Sequence, residues 1–200
     1  MRKIHAFVIF TITAVFLTGC SSTSTTQDKT QPDSDQQLQT RAVQTLGALK
    51  NKNMGYLSTL AHPKKGIRFS PYATIDPEND VVLTVEEIKN IRADSRSFVW
   101  GRYDGTGEQI KMPFMEYMDE FVYDRDFLNA EETAKNEFIG SGNSINNLET
   151  VYPDAQFFEY HFSGFNPEYG GMDWVSLRLV FEEYKGKWYV VGIVHDQWTI

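Results

Sequence analysis

The chain has 200 residues, 19 Lys+Arg against 27 Asp+Glu, a single Cys and a formal net charge of −8. That length suits one domain, or one domain with a tail, and it can bury a core without disulfides or a structural metal. One Cys excludes an intrachain disulfide and a Cys-based zinc site, and the acidic balance argues against a nucleic-acid partner.

Arg2 and Lys3 precede an apolar run over residues 4–16. The run is shorter than the ~20 residues of a membrane-spanning helix and has the length and flanks of a secretory signal core. Leu17-Thr18-Gly19-Cys20 ends it directly. Residues 1–20 therefore resemble a bacterial lipoprotein signal peptide. The resemblance implies cleavage before Cys20, acylation of its thiol with palmitate-type chains, and often acylation of the new amino group. The mature protein would be held to a bacterial membrane on its extracytoplasmic side, at the outer surface or in the periplasm. An ordinary secretory signal and an uncleaved anchor are the alternative readings. Without Arg2 and Lys3, 17 basic residues remain against 27 acidic ones, a net charge of −10. Anionic lipid repels that charge, so acyl chains on Cys20, not a polybasic patch, are the expected link to the bilayer.

Residues 21–36 carry no aliphatic or aromatic side chain. Such a segment buries too little apolar surface to offset its ordering entropy, and it reads as a tether reaching ~50 Å when extended. The expected division is a signal peptide over 1–19, acylated Cys20 and tether over 20–36, and a single domain over 37–200.

Apolar residues recur at helical spacing from Leu38 to Leu60, which predicts one helix or two joined near Asn51–Asn53. Pro63 stops the run and biases His62 out of the helical region. Residues 66–72 read as short and extended. Thr84 and Glu87 have capping-box spacing and predict a short helix through Ile91. Ser97–Tyr103 and Gln109–Met112 flank the turn residues 104–107 and predict a hairpin. Pro113 is placed as the first residue of a helix carrying Phe114, Tyr117, Met118, Phe121 and Val122. Residues 129–132 read as a further helix cap, and 140–147 as a loop. Three long aromatic-rich runs follow, Ala155–Phe165, Asp173–Glu183 and Lys187–Thr199, the last two joined at Lys185-Gly186. In the middle run Val175, Leu177, Leu179 and Phe181 share a face. The last run is apolar on both faces and is expected at the sheet's centre, with Val190 and Val194 on one side and Val191 and Ile193 on the other.

Helices first and a long antiparallel sheet last give an α+β class. This order, with the ending Gly186-Lys187-Trp188-Tyr189-Val190-Val191-Gly192-Ile193, resembles the cystatin-like cone of the nuclear-transport-factor-2-like superfamily. That resemblance implies N-terminal helices packed on a curved sheet around a pocket. The phrases over 62–72 and 195–200 also resemble those of uncharacterised bacterial lipoproteins, a similarity that brings no known activity.

Three histidines lie outside the signal: His62, His161 and His195. His195 is a candidate general base, histidine being suited to proton transfer near neutral pH, with Asp173 or Glu159 to orient it. Adjacent strand residues point to opposite faces, so Asp196 is excluded as its direct partner. His161, sharing a face with Glu159 and Phe157, is the second candidate base. For either, a structural hydrogen-bonded histidine is the commoner outcome, and His62 reads as a helix end. Trp174, Trp198 and Phe165 are candidate ligand-binding aromatics, with core packing as the alternative. The acidic stretch Asp76–Glu87 resembles a calcium loop in spacing but has Val81 where the turn wants glycine. No metal, cofactor, nucleophile elbow or phosphate loop is expected. The expected function is non-catalytic binding of an unknown small molecule or envelope protein, with a histidine-dependent hydrolase or isomerase as the alternative.

Overall fold

The computed structural model describes residues 33–199. The signal, Cys20 and most of the expected tether lie outside the described residues. Helix α1 spans Ser34–Lys50, starting inside the stretch read as tether. Leu38, Ala42, Thr45, Leu46 and Leu49 form its buried stripe, while Val43 is exposed. The chain breaks at Lys52, whose φ is +48°, and Asn53 caps α2 (Met54–Leu60) by accepting the Tyr56 N–H at 3.0 Å. The expected pair of helices, joined at 51–53, is what forms.

From α2 the chain enters a sheet at once. Ala61 bridges Val190, and His62 Nδ1 accepts the N–H groups of Lys64 and Lys65, closing the turn into β1 (Ile67–Ser70). Strand β2 (Val81–Leu83) pairs with β1, and Gly66, just before β1 and packed against the end of β2, is obligatory. Its φ is +69°, and a Cβ there would lie 2.2 Å from the Leu83 carbonyl oxygen. Thr84 and Glu87 complete the capping box of α3 (Val85–Asn90).

Strands β3 (Ser97–Arg102) and β4 (Gln109–Pro113) form a separate hairpin. Pro113 ends β4 and takes the N-cap position of α4 (Phe114–Tyr117), so the helix begins one residue later than expected. The helix then widens into a π turn over Met118–Val122. Residues 132–135, near the expected helix cap at 129–132, are instead strand β5, paired with β6. After α5 (Leu148–Val151) come β6 (Gln156–Phe162), β7 (Val175–Tyr184) and β8 (Lys187–Gln197).

The six-stranded sheet runs β2-β1-β8-β7-β6-β5. Every neighbouring pair is antiparallel except β1 with β8, which is parallel, so the expected antiparallel sheet is in fact mixed. β8 is central, as its two apolar faces require. A bulge shifts the β7–β8 register between Val180 and Phe181, leaving Val191 as the extra residue. An extra residue bends the strand and inverts the alternation beyond it. Val190 consequently joins Ile193 in the main core and Val191 joins Val194 in the smaller one, correcting the expected split.

One face of the sheet carries Leu177, Leu179, Phe181 and Ile193 and is covered by α1, α2, α4 and the hairpin. The opposite face is covered by residues 136–152 and carries a smaller core around Phe157, Val180 and Val194. The α+β class, with N-terminal helices packed on a curved sheet, is thus the architecture the chain adopts. Among the described residues, no helix is long and apolar enough to cross a membrane.

Candidate ligand-binding site

His195 sits on the helix-covered face, opposite Leu177 in β7, and is fully buried. Neither ring nitrogen has a hydrogen-bond partner. Its Nε2 lies 3.4 Å from Asp124 Oδ1, itself a buried atom without a hydrogen-bond partner. The Phe121 ring stands edge-on to the imidazole at 5.9 Å. Phe121 belongs to an aromatic column in which Trp100 stacks on Tyr117 at 4.0 Å and Tyr117 on Phe121 at 5.3 Å. The Trp100 indole, which the hairpin contributes to this column, is held across it by donating to the Met112 carbonyl of β4. At the middle of the column the Tyr117 hydroxyl is buried and unpartnered.

Above this column lies a hollow of about 390 Å³ lined by Tyr72, Tyr103, Asp119, Glu120, Phe121, Asp124, Arg125 and Gln197. The π turn supplies Asp119, Glu120 and Phe121 to it. Widened helical turns are frequent at functional sites because they re-aim side chains that a regular helix would stagger. A second hollow of about 920 Å³ adjoins it, lined by the β3–β4 turn and by residues 71–80, and Tyr72 and Tyr103 line both. The Tyr103 hydroxyl donates to Glu120 at 3.0 Å, and the Tyr72 hydroxyl accepts the Asp104 N–H at 3.4 Å. Together the two hollows form one acidic, aromatic-walled cleft. At its far end Asp80 accepts hydrogen bonds from Ser70 and from the Asp76 N–H. Burial pushes the Asp80 carboxyl up to about 6, its hydrogen bonds and Arg68 opposing the shift.

Asp124 was not foreseen as the partner of His195. Of the two carboxylates expected to orient that ring, Asp173 accepts the N–H groups of Phe165 and Asn166 and ties down the 163–173 loop. Glu159 lies on the opposite sheet face. There Arg178 Nε donates to Glu159 Oε2 at 2.8 Å and Arg178 Nη2 lies 2.9 Å from Asp196 Oδ2, all three side chains being buried. Glu159 also accepts the Ile139 and Gly140 N–H groups, and Arg178 donates to the Gly140 carbonyl, so this ionic layer holds the covering loop. His161 Nδ1 pairs with Ser176 Oγ at 2.8 Å in the same layer, and burial lowers its basicity against the pull of Glu159. His161 therefore serves the loop-covered face, and His195 lies in the helix-covered one, behind Asp124 and Phe121.

The three candidate aromatics do not converge. Trp174 packs beside His161 beneath Gly140 and Gly142. Phe165 packs at a tilt against Phe162 and carries Arg125 over its ring at 4.7 Å. Trp198 follows β8 and is partly exposed. In the acidic stretch, Asp76 accepts from Glu78, Asn79 and its amide, and Glu87 serves the capping box, so these carboxylates are turned to their own backbone. Among the described residues, no group of three or more His, Cys, Asp or Glu is placed to hold a metal ion.

No protein-family model matches the chain, and no curated protein does. A solved structure from Xanthomonas campestris, described as a calcium/calmodulin dependent protein kinase II association domain, shares 12% identity over 82% of each chain, with a TM-score of 0.31. A likeness at that level carries no argument about function.

Proposed function

We propose that this protein is a membrane-anchored, extracytoplasmic lipoprotein whose folded body binds a small molecule in the acidic cleft without turning it over. The observation that carries the reading is His195. It is a fully buried side chain with two unpartnered ring nitrogens, beside the buried, unpartnered Asp124 oxygen at the cleft wall. Buried polar atoms are nearly always paired, and those left open mark a missing partner. A further hollow of about 590 Å³ near Tyr152 and Val191 has no such atom among its lining residues. Acylation of Cys20 is supported by the lipobox alone.

The His195–Asp124 contact also favours an acid–base enzyme as a second reading, with Asp124 orienting the ring. Burial weighs against it, because a substrate atom reaches Nε2 only if Phe121 or Asp124 moves aside. Full-length protein extracted from its host's membranes, then denatured and analysed by mass spectrometry, tests the binding site. A small molecule that accompanies the wild type is expected to be lost from Glu120→Ala and Asp124→Ala. Identical contents in wild type and variants would rule the cleft out, and a chemically altered ligand released by wild type but retained by His195→Gln would favour the enzyme.

A further inference from the structure

We propose a second binding site, on the loop-covered face of the sheet, for an apolar molecule ending in a single carboxylate. Its place is the hollow of about 590 Å³ between the β1–β2 edge and α5. Hollows of that size suit small organic ligands. Ile67 and Phe69 of β1 enter the main core, which turns Arg68 to the other face. There Arg68 has Val82 beside it on β2 and Gly192 beside it on β8. Gly192 leaves the place next to Arg68 without a side chain, and a Cβ there would lie 3.5 Å from the Tyr152 ring. The β8 bulge puts Val191 on this face. Pro77, Val82, Val151, Tyr152 and Val191 give the hollow its apolar lining.

In an acidic chain, the charge at this lining is positive. Arg68 and Lys65 line the hollow and no carboxylate does. Lys65 is already paired with Glu182. Arg68 spends Nη1 on the Asp76 carbonyl at 3.1 Å. Its Nε and Nη2 donate to no acceptor among the described residues, and both stay accessible to solvent. That edge of the guanidinium is a fork that takes a carboxylate through two parallel hydrogen bonds. The Tyr152 hydroxyl stands near the guanidinium, protonated because burial pushes it up, and its bond to the Val191 carbonyl is long at 3.5 Å. It can therefore turn to the same carboxylate. Asp76 and Asp80 lie within electrostatic reach of Arg68 without pairing with it, which favours a monoanion over a dianion such as phosphate. A cationic ligand would meet like charge, and a neutral one would leave the fork to water.

Isothermal titration with octanoate tests the site, using the full chain in nanodiscs of zwitterionic lipid and empty nanodiscs as the blank. Octanamide serves as the uncharged counterpart, and acetate as the carboxylate without its apolar part. One equivalent of octanoate is expected to bind, with octanamide and acetate each weaker by about tenfold or more. Arg68→Gln should lose about tenfold or more in octanoate affinity, because it removes the charge-assisted pair. Val82→Glu, at an exposed position of β2, sets a carboxylate beside Arg68 and should weaken octanoate similarly. Melting temperatures check that both variants fold, and should Arg68→Gln unfold the chain, Val82→Glu carries the comparison. Lys89→Gln, an exposed cation on α3, should bind as wild type does. Absence of octanoate binding, or binding indifferent to both variants, overturns the site. Equal affinity for octanamide overturns the role of the guanidinium fork, and equal affinity for acetate overturns that of the apolar lining. None of these outcomes bears on the acidic cleft, which the co-purified molecule decides separately.

Discussion

At the scale of single residues, the molecule keeps its charges where they are costly. Arg178, Glu159 and Asp196 are buried together, an arrangement whose desolvation offsets much of its attraction. Its benefit lies in the covering loop, whose backbone it binds at Ile139 and Gly140. Asp80 is the clearest case of a cost retained. Its carboxyl is raised to about 6 from an unfolded value of 3.8. Between those two values the folded state holds the extra proton, so stability falls as pH rises from about 4 through 6 and is flat above that. Asp80→Asn keeps an oxygen for Ser70 and Asp76 and removes the charge. We expect it to melt higher than wild type at pH 7.5, by about 1–2 kcal/mol after allowing for partial solvation. The gain should vanish near pH 4, and a gain that persists there would show that desolvation of the charge is not its cause. The strand alternation of the sequence places Glu159 with His161 and separates His195 from Asp196, as observed. Asp124 was not legible, because it follows a π turn and belongs to no periodic segment.

At the scale of elements, local chemistry was readable wherever it was local. Asn53, the Thr84–Glu87 capping box and the 104–107 turn each act within a few residues of themselves. Thr84→Ala removes the acceptor for the Glu87 N–H and the hydroxyl donor to the Glu87 carboxylate, leaving only the Thr84 backbone bond to it, which should lower stability by about 1 kcal/mol in urea melts. A loss under a few tenths would show that tertiary contacts, not the cap, hold α3. What escaped the sequence depends on distant partners. β1 lies parallel to β8 more than a hundred residues later, and β5 is a strand because β6 offers it an edge. The bulge at Val191 cannot be seen in a run apolar on both faces, where either register buries similar side chains.

At the scale of the whole molecule, the proposed anchoring and the proposed binding are separable by experiment. Cys20→Ala should move the protein from the detergent phase to the aqueous phase in detergent partitioning, or leave an unprocessed precursor, without altering the melting temperature of the folded body. A mature, detergent-partitioning Cys20→Ala product would refute acylation at that residue. The class of fold followed from element order, helices before a long final sheet. The cleft did not, because its wall comes from the β3–β4 turn, the π turn and the last residues of β8, brought together only by packing.

β8 also sets a direction. At its start Trp188 donates to Ser34, the first residue of α1, and at its end Gln197 lines the cleft. The strand between them is ~30 Å long. The first residue of α1 and the cleft mouth therefore lie at opposite ends of one strand. Under the proposed anchoring, the chain that joins the body at Ser34 and a solute entering the cleft approach it from opposite ends of β8, so neither has to pass the other.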